Sequence, residues 1–166
     1  MCRHLAARGG PDFAGWTAGD LLFRAPHSLA HQSQFPLHQP AGWTNPDGWG
    51  VAWYPATGDA PGHHRTVSPI WADRDFVPTA RAIEATTVLA AARLASPGLK
   101  LDESGNAPFV VGRWSFSLNG TVDNFVHEAG VALRDGLSPD RRAALTSDTD
   151  SEVLLALALD RIDNGA

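Results

Sequence analysis

A chain of 166 residues can bury one substantial core, and its 43% hydrophobic and 19% charged residues are those of an ordinary globular protein. A formal net charge of −5, with Lys100 as the only lysine, leaves no clustered basic surface for nucleic acid. No apolar run reaches the roughly 18 residues of a membrane span, Met1-Cys2-Arg3-His4 begins no secretory leader, and a single cysteine excludes an internal disulfide and a thiolate-rich metal site. A cytoplasmic protein without membrane or nucleic-acid partners is therefore expected. Six tryptophans, 16 glycines and 12 prolines point to short strands joined by many turns.

Residues 1–8 read as a strand, ended by Gly9-Gly10-Pro11. Residues 20–29 are mixed, and 34–47 read as a loop punctuated by Pro36, Pro40, Gly42 and Asn45-Pro46-Asp47-Gly48. Gly50-Val51-Ala52-Trp53-Tyr54 is a strand stopped by Pro55, with a hairpin loop expected over 56–64. Helical apolar spacing runs from Phe76 to Ala85, with Asp73 and Asp75 as cap candidates. The unbroken run Thr87–Ala92 suits a strand buried on both faces. After a loop over 97–108, two strands, 109–111 and 114–118, flank a turn at Gly112-Arg113. Residues 151–162 form the clearest helix, with Val153, Leu154, Leu157 and Ile162 on its apolar face and Asp148 or Thr149 as its cap. The expected class is α+β in a single domain, 1–166.

Chemistry enters at Cys2. Removal of Met1 before a small residue leaves a thiol beside its own α-amine, whose reference pKa is about 7.7–8.0. That amine can take the thiol proton near neutral pH, so one residue supplies both nucleophile and base. Asn119-Gly120 suits either a tight hairpin turn or an oxyanion hole, whose donors are worth about 2.7–4 kcal/mol each. Arg93 ends an apolar strand, where a charge is costly unless partnered; a guanidinium there can hold a carboxylate through two parallel bonds. Asp150, just before the last helix, is either a cap or a partner for an ammonium group. No metal is expected: His63 and His64 are adjacent and point apart, and His27 and His31 lack a zinc motif.

Ordered blocks then tie these residues together. Met1-Cys2-Arg3-His4-Leu5 is followed by Asn45-Pro46-Asp47-Gly48-Trp49-Gly50-Val51 and by Pro69-Ile70-Trp71-Ala72-Asp73. Next come Arg93-Leu94-Ala95-Ser96-Pro97-Gly98, Asn106-Ala107-Pro108-Phe109, Gly112-Arg113-Trp114-Ser115-Phe116, Ser117-Leu118-Asn119-Gly120 and Thr149-Asp150-Ser151-Glu152. The set resembles the class II glutamine amidotransferases, a branch of the N-terminal nucleophile hydrolases. The resemblance implies a four-layer αββα sandwich. It also implies Cys2 as nucleophile, Asn119 and Gly120 as oxyanion hole, and Arg93 and Asp150 on the glutamyl α-carboxylate and α-amino groups. Ser96, Trp49 and Gly48 join the implied substrate-binding set, and no cofactor is required.

Within that family the chain is most similar to the ergothioneine-pathway branch, which removes the γ-glutamyl group from γ-glutamyl-hercynylcysteine S-oxide. Ala91-Ala92-Arg93, where many relatives carry a histidine before the arginine, and Asn106-Ala107-Pro108-Phe109, where others have His-Pro, carry that similarity. A trimethylammonium substrate favours an aromatic face, which Trp43, Trp49, Trp53 or Trp71 would supply. Leu118 replaces the usual histidine before Asn-Gly, and Ser96 the usual threonine. Family members run well past the length of this chain, so the expected sandwich would lack its last strands. The alternatives are a glutaminase or glutamine amidotransferase of another pathway, and a non-catalytic domain of the same fold.

Overall fold

The computed structural model describes residues 2–10, 16–37, 43–95 and 100–165. The chain forms two compact units, Met1–Asn119 and Gly120–Ala166. The first begins with β1 (Arg3–Arg8), β2 (Trp16–Thr17), a π-type turn (Asp20–Arg24) and α1 (Leu29–Gln34). It continues with β3 (Trp49–Tyr54), β4 (Gly62–Thr66), α2 (Phe76–Ala82), β5 (Glu84–Ala85) and β6 (Thr87–Ala92). A 3-10 turn at Glu103–Gly105 leads into the hairpin β7 (Phe109–Val111) and β8 (Trp114–Phe116).

Four strands pair antiparallel in the order β1-β6-β3-β4. The apolar run of β6 lies between two neighbours, and Val88, Ala90, Ala91 and Ala92 are all buried. Side chains alternate across a sheet, so the register sorts them by face. On one face Trp49, Val51, Val88, Ala90 and Ala92 join Leu22, Leu29, Ile70, Phe76 and Ala80 in the main core, with Leu5 packed against it. The opposite face carries His4, Tyr54 and His63, each hydrogen-bonded to the segment around the β7–β8 hairpin. Tyr54 Oη lies 3.0 Å from Arg113 O and 2.8 Å from Ser115 Oγ. His63 Nε2 lies 2.9 Å from Pro108 O, and His4 Nδ1 2.6 Å from Ser117 Oγ. The sheet thus has helices on one side and the β7–β8 hairpin with its flanking residues on the other.

The expected helix over 76–85 stops at Ala82. Ile83 turns extended, and Glu84-Ala85 pair with Trp16-Thr17 instead. Asp73 rather than Asp75 caps α2, its Oδ1 accepting from Phe76 N at 3.2 Å. The same carboxylate accepts from the Trp49 indole and from His64 Nε2, both at 3.1 Å. Strand β4 starts at Gly62, so His63 and His64 belong to a strand and not to the hairpin loop.

The second unit holds α3 (Glu128–Asp135), α4 (Pro139–Ala143) and α5 (Asp150–Asp163). The first two are helices to which the sequence reading assigns no element. Thr149 caps α5 by accepting from Glu152 N at 3.3 Å, and Glu152 reaches back to Thr146 N and Ser147 N. Thr149 thereby satisfies one amide that the helix start leaves without a partner, and Glu152 ties the preceding segment to the first turn. Val153, Leu155, Ala156 and Leu159 are the buried face of α5, whereas Ile162, expected there, is 44% exposed. The chain is α+β with antiparallel sheets.

Candidate active site

The sheet register builds the centre of the site. Arg3 and Trp49 both pair with Ala92, so the next residue outward on each of the three strands lies at the same sheet end. Those residues are Cys2, Arg93 and Gly48. The ladder runs on past the strands: Arg93 N donates to Gly48 O at 2.8 Å and Asp47 N to Arg93 O at 3.2 Å. Asp47 Oδ2 then accepts from Ala95 N at 2.8 Å. Segment 93–95 is pinned on both sides of Leu94, whose N–H donates to Cys2 Sγ at 3.4 Å while its carbonyl lies 3.7 Å from the sulfur. The half-buried thiol is therefore held by a backbone that Asp47 fixes.

Arg93 is buried at 8% exposure, and among the described residues no carboxylate lies in ion-pair range of it. Its partners are neutral oxygens: Nη1 donates to Asn106 Oδ1 and Nη2 to Lys100 O, each at 3.3 Å. Asn106, fully buried, donates from Nδ2 to Thr66 O at 2.8 Å. Two glycines make room. A Cβ on Gly105 would meet Arg93 Nη1 at 2.7 Å, and one on Gly48 would meet Asn106 Nδ2 at 2.3 Å. Gly48 also has φ +106°, which side chains rarely adopt. Among the described residues only neutral acceptors hold this buried cation, so none of them offsets its charge.

Asn119 follows β8 outside any regular element, and its Nδ2 donates to Cys2 O at 3.1 Å. The hairpin turn itself sits at Gly112-Arg113. One of the two amide hydrogens of Asn119 is so committed, and the other is available beside Cys2. The structure thus brings Cys2, Arg93, Gly48 and Asn119 together in the first unit. Gly120 and Asp150 belong to the second, where Asp150 Oδ2 accepts from Val122 N at 2.8 Å. Ser96 lies outside the described residues.

Trp49 stands in the core at 0% exposure, edge-on to Phe23 and Phe76, so in this structure its ring offers no face to a ligand. Gly48 likewise serves Asn106 through its missing side chain. Trp43 is the one of the four candidate tryptophans that is more than half exposed, at 53%. Four residues of the site were not singled out from sequence: Asp47, Leu94, Asn106 and His4. All lie inside the quoted motif blocks, but their roles come from contacts distant in sequence. Burial holds the His4 imidazole below its ordinary pKa. Among the described residues no group of three or more His, Cys, Asp or Glu is placed to hold a metal ion.

No protein-family model matches the chain. It is 36% identical over 161 residues, 97% of its length, to the γ-glutamyl-hercynylcysteine sulfoxide hydrolase of Mycolicibacterium smegmatis. It is 37% identical over 132 residues, 80% of its length, to the protein of that name from Mycobacterium tuberculosis. The chain spans 63% of the former and 54% of the latter. In structure it is similar to a glutamine aminotransferase class II domain protein from Silicibacter pomeroyi, with a TM-score of 0.55 and 30% identity. That match covers 68% of this chain and 46% of the other. The chain is thus homologous to proteins named γ-glutamyl-hercynylcysteine sulfoxide hydrolase and, over the matched residues, follows the backbone of a class II glutamine aminotransferase domain protein.

Proposed function

We propose that this chain carries the nucleophile of a γ-glutamyl amide hydrolase acting on γ-glutamyl-hercynylcysteine S-oxide, releasing glutamate and hercynylcysteine S-oxide in ergothioneine biosynthesis. After loss of Met1, the Cys2 α-amine takes the thiol proton and Sγ attacks the γ-carbonyl. The C–N bond breaks, the amine leaves with the proton, and a glutamyl thioester remains. Water then attacks the thioester, giving glutamate and restoring the thiol. The observation that carries this reading is the Arg93 guanidinium: buried, held among the described residues by neutral oxygens, and one residue from the Leu94 backbone that grips Cys2 Sγ. Its charge suits the glutamyl α-carboxylate. The family resemblance assigns the α-ammonium to Asp150 and the developing oxyanion to Asn119 and Gly120, with Ser96 on the substrate. The reaction needs no cofactor and suits a single four-layer αββα domain in the cytoplasm.

The test is glutamate release, followed by mass spectrometry, from γ-glutamyl-hercynylcysteine S-oxide and separately from glutamine. Preference for the sulfoxide conjugate and silence of Cys2→Ala are expected, with Cys2→Ser leaving only traces. Near-normal turnover by Cys2→Ala refutes the nucleophile assignment. Preference for glutamine refutes the substrate and moves the enzyme to another pathway.

A further inference from the structure

We infer that Asn106 is a positioning residue that sets γ-glutamyl specificity, by presenting the Arg93 guanidinium while leaving its charge uncompensated. This rests on the γ-glutamyl reading and assigns a role to a residue that touches Arg93 rather than substrate. The amide orientation follows from its partners: Oδ1 accepts from Arg93 Nη1 at 3.3 Å, and Nδ2 donates to Thr66 O at 2.8 Å. Turned the other way, the amide would set donor against donor and oxygen against oxygen. Both polar ends of a fully buried side chain are thus used, and the backbone N–H is also bonded, to Glu103 O at 3.1 Å. Asparagine is fixed in place before any ligand arrives, and Arg93 with it.

The neutral amide matters because its isostere aspartate would do the opposite. A carboxylate at Asn106 Oδ1 would make a charge-assisted bond to Nη1, the strongest partner a guanidinium takes. Arg93 would then be neutralised inside the protein, and a substrate carboxylate would approach an already paired cation. The glycines are part of the same device. Gly48 leaves the space that Asn106 Nδ2 occupies, and Gly105 leaves the space of Arg93 Nη1. Gly105 has no positive φ, so alanine fits its backbone, and the atom it would meet is the far end of a flexible side chain.

The experiment measures kinetics of the full chain on a γ-glutamyl amide and on its analogue lacking the α-carboxylate, with L-glutamate binding followed by calorimetry. For Asn106→Asp, KM for the γ-glutamyl amide and Kd for glutamate should both rise at least about tenfold, with kcat within about threefold, and KM for the analogue should not move. Gly105→Ala, which nudges the same guanidinium without adding charge, should raise the same two constants severalfold and again spare the analogue. That variant decides the matter if Asn106→Asp does not fold. Preference for the carboxylated substrate that stays within twofold of wild type in the folded variants overturns the assignment. A wild-type chain that neither releases nor binds glutamate overturns instead the γ-glutamyl reading on which it rests.

Discussion

Replacing Gly48 by alanine should damage both the fold and the site, by an amount that can be split in two. At φ +106° an alanine is strained, at about 1–3 kcal/mol. Its Cβ would also stand 2.3 Å from Asn106 Nδ2 and 2.6 Å from Thr66 O, wedged between the partners of a 2.8 Å hydrogen bond. Such overpacking adds about 1–3 kcal/mol. Gly58 separates the two costs, because it has φ +93° with nothing within 4 Å of its Cβ. Gly58→Ala should therefore lose only the strain, about 1–3 kcal/mol. Gly48→Ala should lose about 4 kcal/mol, a fall in Tm of roughly 8–16 °C for a chain of this size. Urea and thermal unfolding of both variants give the comparison, with KM for the proposed γ-glutamyl substrate as second readout. Equal losses would show that the packing against Asn106 and Thr66 carries no energy, and would refute the account of the guanidinium's cradle.

Asp47→Ala removes the acceptor of Ala95 N, a charge-assisted bond of about 1.5–3 kcal/mol. Steady-state kinetics should show kcat falling more than KM rises, since Leu94 then grips Cys2 less firmly; an effect confined to KM would contradict that chain of contacts. Burial lowers the pKa of His4, and burial followed by the Arg65 charge lowers that of His63. Each binds fewer protons folded than unfolded, so its contribution is complete above the unfolded value of about 6.5 and is lost as pH falls through it toward the folded value. Unfolding free energy should decline over that range, and His63→Gln should flatten the decline; an unchanged slope would contradict it. Thr149→Ala should weaken the start of α5 by about 0.5–2 kcal/mol, read by circular dichroism during thermal unfolding.

Elements with strong local periodicity are legible in the sequence. The strands at 3–8, 49–54 and 87–92 follow from short apolar runs bounded by turns, and α5 from its spacing and cap. The overrun of α2 shows where local reading ends: Ile83 to Ala85 continue the apolar spacing, but pairing with Trp16-Thr17, far back in the chain, draws them straight. The same holds at the site. Cys2, Arg93 and Asn119 stand out by residue type and setting. Asn106 and Asp47 become meaningful only when the sheet register brings residues 47, 66, 93, 95 and 106 together. Tryptophan suits a ligand face by type, but Trp49 is packed against Phe23 and Phe76, which no spacing connects to it.

The grip on Cys2 also has a place in time. Its sulfur is held by Leu94, 92 positions later, and its carbonyl by Asn119, 117 positions later. A ribosome adding about 5–20 residues per second needs roughly 6–23 s to supply that second partner. Until then neither hold exists, and the residue emerges as part of an open chain end. The hold on the sulfur and the hold on the carbonyl are thus both late events in synthesis, made by residues from the far side of the first unit.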